Sequence, residues 1–185
     1  MNSYKALSKQ IFANGKYSIV PLRMEDRYDI MKWRNEQIYH LRQDRPLTKE
    51  DQDKYFETVI TNLFEQEKPD QILFSYLEGI KCIGYGGLVH INWIDKNAEI
   101  SFIMDTQLEK EYFRFHWSSF LKLLEETAFD DLKIYKLYVY AFDLRPHLYT
   151  TLEFNHYFKD AVLKDHCLFN DKFIDVVVHS KLNVL

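Results

Sequence analysis

Apolar and polar residues alternate over "YSIVPLR" (17–23), the two-residue period of a β-strand, and Pro21 sets that strand at an edge or a bulge. The period then lengthens. "MEDRYDIMKWRN" (24–35) reads as a helix bringing Tyr28, Met31 and Trp33 toward a core. A second helix spans "RPLTKEDQDKYFETVITNLF" (45–64), with Thr48 as N-cap and acids in the first turn. Its Tyr55, Phe56, Val59, Ile60 and Leu63 recur at helical spacing. "DQILFSYLEG" and "IKCIGYGGLVHINWI" form two β runs around a Glu78-Gly79 turn, a predicted hairpin. Gly84, Gly86 and Gly87 inside the second run predict a bulge or a close backbone approach.

"AEISFIMD" (98–105) is short and largely apolar, as a central strand would be. One helix is expected over "TQLEKEYFRFHWSSFLKLLEETAF" (106–129), with Phe113, Trp117, Phe120, Leu121, Leu124 and Ala128 turned to the sheet. "YKLYVYAF" (135–142) is a further strand, and "RPHLYTTLEF" (145–154) a short helix with Pro146 in its first turn. "YFKDAVLKDHCLF" and "KFIDVVVHS" close the chain as a hairpin about Asn170-Asp171. Hairpins mixed with strand–helix–strand crossovers predict an α+β (mixed α/β) fold. The expected architecture is a single mixed, mostly antiparallel twisted sheet of about seven strands, with helices on both faces, in one domain over residues 1–185.

Composition narrows the function classes. The 185 residues suit one substantial core, and 46% apolar with 16% aromatic content is globular rather than disordered. A formal charge of −4 without a Lys/Arg stripe gives no reason to expect nucleic acid as partner. No apolar run approaches the roughly 20 residues that cross a bilayer, and "MNSYKALSKQ" lacks the apolar core of a signal peptide. Cys82 and Cys167 stand alone, so a reduced, cytoplasmic protein is expected. His166-Cys167 has no second pair at ligand spacing, and no metal is expected.

Several residues carry candidate chemistry. Glu99 opens the 98–105 strand and suits a general base, directly or through water; the plainer reading is a strand-end carboxylate. His90, ending the preceding strand, suits the same role or a structural one. Arg145, His147 and Tyr149 follow the 135–142 strand, and crevices at strand carboxyl ends are common binding places. Tyr149 is the candidate acid; core or rim packing is the alternative. Arg34, Asn35, His40 and Arg42 cluster at the end of the first helix, as a substrate-binding group or as surface ion pairs.

The element order, with "WRNEQIYHLRQDRPLTKEDQDKYF" (33–56), "AEISFIMD" and "NHYFKDAVLKDHCLFNDKFIDVVVHS" (155–180), resembles the GNAT acetyltransferase superfamily over about residues 16 to 181. The most similar branches are bacterial acetyltransferases of nucleotide-linked amino sugars, of the pseudaminic-acid-pathway type, and of ribosomal proteins. The resemblance implies direct transfer of an acetyl group from acetyl-CoA, as co-substrate, to a primary amine in a ternary complex. It implies that the 98–105 and 135–142 strands splay apart, with Phe102, Ile103 and Met104 along the pantetheine arm. Two arginines near the first helix suit a small phosphate-bearing amine; a homodimer is compatible with this picture. His90 and His147 would then contact the acceptor, and Arg145 the coenzyme or an anionic substrate.

Two departures stand out. All five glycines lie at or before Gly87, so the family's glycine-rich pyrophosphate loop has no counterpart. Bare amides at the helix start, with Lys110, Arg114 and His116, would have to hold the phosphates instead. Leu152 stands where the family's proton-donating tyrosine belongs, with Tyr149 one turn earlier. The alternatives are protein N-terminal acetylation and a non-catalytic binding protein on the same scaffold that has lost CoA binding.

Overall fold

The computed structural model describes residues 2–41 and 43–184. Its eight strands form one sheet: β1 (Phe12–Asn14), β2 (Tyr17–Pro21), β3 (Ile72–Glu78), β4 (Lys81–Asn92), β5 (Asn97–Met104), β6 (Lys136–Phe142), β7 (Phe158–Phe169) and β8 (Lys172–Leu182). They lie in the order β1-β2-β3-β4-β5-β6-β8-β7. Every neighbouring pair is antiparallel except β5 and β6. The expected mixed, mostly antiparallel sheet is therefore present, with one strand more than the pattern predicted. The addition is β1, three residues long and joined to β2 by a turn at Gly15 (φ +61°). A strand that short shows no alternation to read.

Pro21 sits where β2 needs no donor. Leu22 N–H donates to the Leu73 carbonyl, so Pro21 nitrogen points away from β3, and β1 ends its pairing at Ile19. The hairpin turns at Gly79 and at Asn170-Asp171 both form, the latter with positive φ at each residue. Gly86 and Gly87 lie where neighbouring backbone comes close. A Cβ on Gly86 would fall 2.1 Å from the Ser101 carbonyl oxygen, and one on Gly87, at φ +155°, 2.0 Å from that of Ile72.

One face of the sheet carries α1 (Arg27–Glu36) and the helix that begins as α2 (Lys49–Tyr55), widens over Phe56–Ile60 and ends as α3 (Thr61–Phe64). Thr48 caps α2 in a reciprocal box with Asp51. The buried face of α1 is Ile30 and Trp33 rather than Tyr28 and Met31. Tyr28 instead donates its hydroxyl to Asp53 at 2.9 Å and packs its ring beneath Arg27 and Lys49. The wide turn takes up one residue and leaves Val59 exposed, while Phe56, Ile60 and Leu63 are buried.

The other face carries α4 (Thr106–Glu111), α5 (Phe113–Glu125) and α6 (Pro146–Phe154). The single helix expected over 106–129 is broken at Tyr112 (φ −131°, ψ 29°). Leu108 and Phe113 both pack against the core. Residues five apart diverge by about 140° on a continuous helix, so the break lets both turn inward. Beyond it Trp117, Phe120, Leu121, Leu124 and Ala128 are buried, as the periodicity predicts. Phe102 of β5 stacks on Phe120 with ring centroids 4.0 Å apart and meets the edge of Trp117.

Candidate active site

β5 and β6 pair only over Asn97–Glu99 and Lys136–Tyr138; beyond that they part. β6 stays bonded to β8 along its whole length, and β5 to β4, so neither can follow the other. The gap is lined by backbone. Asp105 N–H donates to the Ile83 carbonyl at 2.9 Å, which fixes the phase of the β4–β5 ladder. Ser101 and Ile103 therefore turn their backbone groups to β4, while Phe102 and Met104, and Ile100 through its carbonyl, turn theirs into the gap. The Met104 carbonyl accepts from Gln37 Nε2 at 2.7 Å.

Around this gap lies a cleft of about 510 Å³, with Ile100, Phe102, Ile103 and Trp117 on one wall and Val139, Tyr140 and Leu148 on the other. A second compartment of about 420 Å³, between α1, α2 and the sheet, shares Arg34, Gln71, Val89 and Ser101 with it. Two openings onto one set of residues suit two substrates that meet there.

Three polar groups stand along the cleft. At the closed end of the gap, Glu99 Oε2 lies 2.9 Å from His90 Nδ1. Arg34 donates to the Tyr85 hydroxyl at 2.6 Å and to Gln43 Oε1 at 3.2 Å, both neutral partners. Toward the open end, Arg145 Nη1 lies 3.3 Å from Glu109 Oε1 and 3.4 Å from His40 Nε2. Burial pushes the Glu109 carboxyl up against the pull of Arg145. Burial, with the Arg145 charge beside it, pushes His40 down to about 3, so its imidazole is neutral near pH 7.

The predicted residues divide sharply on this frame. Arg34, His40, His90, Glu99, Phe102, Ile103 and Arg145 all line the cleft. Met104 sits behind it, presenting its carbonyl to Gln37. Asn35 is not turned to a substrate: its side chain accepts from Leu47 N–H and donates to the Leu47 carbonyl, pinning the loop after α1. Arg42 lies outside the described residues. His147 is exposed, edge-on to Phe113 with centroids 4.4 Å apart. Tyr149 lies beside the cleft rather than in its lining; its hydroxyl donates to Asp143 Oδ1 at 3.0 Å and its ring stacks on His179. Leu152 is fully buried.

The expected phosphate-binding trio is not brought together. His116 is buried among Tyr17, Tyr76 and Phe115, with Nδ1 3.2 Å from the Tyr76 hydroxyl. It lies one turn before Phe120, on the edge of the buried face of α5. Arg114 lies over the ring of Phe154, and Lys110 faces a shallow groove with Lys32 and Glu36. Sequence reasoning missed Gln37, Tyr85 and Glu109. The first two show no motif, and Glu109 is one charge among several in Thr106–Glu111.

No group of three or more His, Cys, Asp or Glu residues is placed to hold a metal among the described residues. No helix there is long and apolar enough to cross a membrane.

Residues 19–143 match the family model described as an acetyltransferase (GNAT) domain. No curated protein matches the sequence. Among solved structures, a spermidine N-acetyltransferase from Vibrio cholerae in complex with CoA and spermine is similar at a TM-score of 0.79 and 16% identity, over 92% of this chain and 97% of that one. A dodecameric structure of spermidine N-acetyltransferase from Vibrio cholerae in an intermediate state is similar at 0.73 and 18% identity, over 92% and 95%. At such identities the likeness is one of fold.

Proposed function

The chain belongs to the GNAT acetyltransferase family as an acyl-CoA-dependent N-acetyltransferase, and from that premise we propose that it acetylates a small primary amine that also carries an anionic group. A nucleotide-linked amino sugar is the acceptor of that description that we favour. When bound, acetyl-CoA supplies the activated acetyl group. The gap between β5 and β6 fits its extended arm, because the Ile100 carbonyl and the backbone groups of Phe102 point into it between apolar walls. The Phe102 N–H is a fixed donor for the thioester carbonyl, stabilising the charge that develops on its oxygen without a dedicated side chain. The amine enters through the adjoining compartment between α1 and α2.

One observation carries the acceptor class. Arg34 sits where the two compartments meet, and its guanidinium bonds to a tyrosine hydroxyl and an amide oxygen, with no carboxylate in ion-pair range among the described residues. A partly buried guanidinium with neutral partners favours a phosphate or carboxylate on the ligand. A second reading has its own support. Asp70, Glu99 and Asp44 line the same two compartments, and the Vibrio cholerae structure of this fold holds spermine.

Rates of CoA release with a nucleotide-linked amino sugar and with spermidine separate the two. The proposal expects turnover of the amino sugar and, in Arg34→Ala, a KM for it raised about 10- to 100-fold, the worth of a charge-assisted pair. Turnover of spermidine alone, unharmed by Arg34→Ala, would decide for the polyamine. Calorimetry that found no binding of millimolar acetyl-CoA would favour a non-catalytic scaffold.

A further inference from the structure

We propose that His90 is the general base of the transfer and that Glu99 acts through it, as a positioning residue. This rests on the acetyltransferase reading and adds to it the identity of the proton acceptor.

The geometry begins with a bulge. Val89 pairs with Glu99, and the next pair along the ladder is Asn92 with Asn97, so β4 carries one residue more than β5 between them. His90 is in that interval with φ +50°, in the left-handed region. In a regular strand His90 would project to the opposite face from Val89 and its partner Glu99. The left-handed turn brings the imidazole back to the face of Glu99, onto the acceptor side of the cleft. Such a conformation in a non-glycine residue costs free energy and is most often retained where function needs the side chain placed.

The pair is arranged as a carboxylate and its imidazole. Glu99 is the last β5 residue in register with β6, so it marks the closed end of the gap, and its side chain is 19% exposed. With Nδ1 at 2.9 Å from Oε2, the ring nitrogen must donate to the carboxylate. That fixes the Nδ1–H tautomer and leaves the Nε2 lone pair as the acceptor. The histidine side chain is 75% exposed, so a proton taken from the substrate has a path to solvent.

The reactive end of the arm lies here too. Anionic ends of ligands gather outside the carboxyl ends of parallel strands, where β5 runs into α4. The opposite end, with the thioester, then reaches the closed end of the gap beside Glu99. The other titratable or charged groups around the cleft are Asp70 before β3, Arg34 on α1, His40 after it, Tyr140 on β6 and Arg145 at the start of α6. Tyr138 stays protonated, held above its ordinary range by burial and by the Glu99 carboxylate. Arg34 and Arg145 are engaged by Tyr85 and Glu109, and His40 lies against Arg145.

The step balances. His90 Nε2 takes one proton from the substrate ammonium. The freed amine lone pair forms the C–N bond to the thioester carbonyl carbon, and the C–S bond breaks with its electron pair on sulfur. The second N–H proton passes to that sulfur, and His90 releases its own to water.

The decisive comparison is His90→Asn against Glu99→Gln, in pH–rate profiles together with nitrogen NMR of the free protein. Asparagine tolerates positive φ, so the bulge survives the substitution. His90→Asn should lower kcat about 100-fold or more, the ordinary worth of a general base. It should also abolish the acidic limb of the profile, leave acetyl-CoA binding unchanged and respond to added imidazole. Glu99→Gln should cost less and displace that limb. The free wild-type protein should show His90 as the Nδ1–H tautomer. Overturning results are a rate within about threefold of wild type in His90→Asn, a Glu99→Gln variant that is the more impaired, or an Nε2–H tautomer. Wild-type protein that transfers no acetyl group to any amine would remove the functional reading as well, which separates the two failures.

Discussion

His40 shows how one residue's surroundings fix its protonation and make stability depend on pH. Its neutral form is the one the fold accepts, held down to about 3 against an ordinary 6.5. Between those values the unfolded chain binds a proton that the folded chain does not, so unfolding is favoured as pH falls. The stability contributed by the neutral ring is complete above about 6.5 and is lost progressively as pH drops toward 3. His116 and His179 are lowered by burial as well and act with the same sign. Thermal melts should therefore fall between pH 7.5 and 5, and His40→Gln should flatten part of that slope; an unchanged slope would show that His40 charges freely in the folded protein. Glu109 and Arg145, with side chains only 8% and 13% exposed, form a buried pair that is costly to break. Glu109→Ala strands a buried guanidinium and should lower stability by about 3 kcal/mol or more, read from urea denaturation.

At the scale of elements, β4 does two things with its irregularities. Near its middle, glycines let β3 and β5 close in on it. Gly86→Ala would place a methyl 2.1 Å from the Ser101 carbonyl oxygen, a backbone atom that cannot swing aside. The expected cost is above about 2 kcal/mol, together with weakened acetyl-CoA binding, because β5 is the strand that forms the wall of the gap. Folding and binding both unaffected would show that β4 and β5 can separate there. Near its end, the bulge at His90 re-aims a side chain into the cleft. The α2 cap offers a milder contrast. Thr48→Ala removes one side of a reciprocal capping box, for about 1 kcal/mol, with no first-order effect on the cleft.

For the whole molecule, β5 and β6 part beyond Glu99 while each stays paired with its other neighbour, and the cleft occupies that opening. A ligand bound there bridges two halves that the sheet itself joins only over Asn97–Glu99. Acetyl-CoA at 100 times its dissociation constant should stabilise the protein by about 2.7 kcal/mol, seen as a rise in Tm that saturates with binding. The absence of any shift would place the coenzyme elsewhere or nowhere. Much of this architecture was legible in the chain. Period-two and period-3.6 patterns located the strands from β2 onward and the helices; Thr48, Gly79 and Asn170-Asp171 marked caps and turns. These signals are local, set by sterics and hydrogen bonding within a few residues, so the sequence by itself determined the elements and their order, and through them the fold and family. The helix break at Tyr112 escaped because the inward turn of both Leu108 and Phe113 is demanded by the core, not by propensity. The site escaped in part for the same reason. His90 and Glu99 are 9 residues apart, Glu109 and Arg145 36, and Arg34 and Tyr85 51. Which of them touch depends on a bulge, a broken helix and the divergence of two strands, so only the tertiary structure decided that Glu99 faces an imidazole, that His116 is core and that Arg34 faces neutral partners at the cleft.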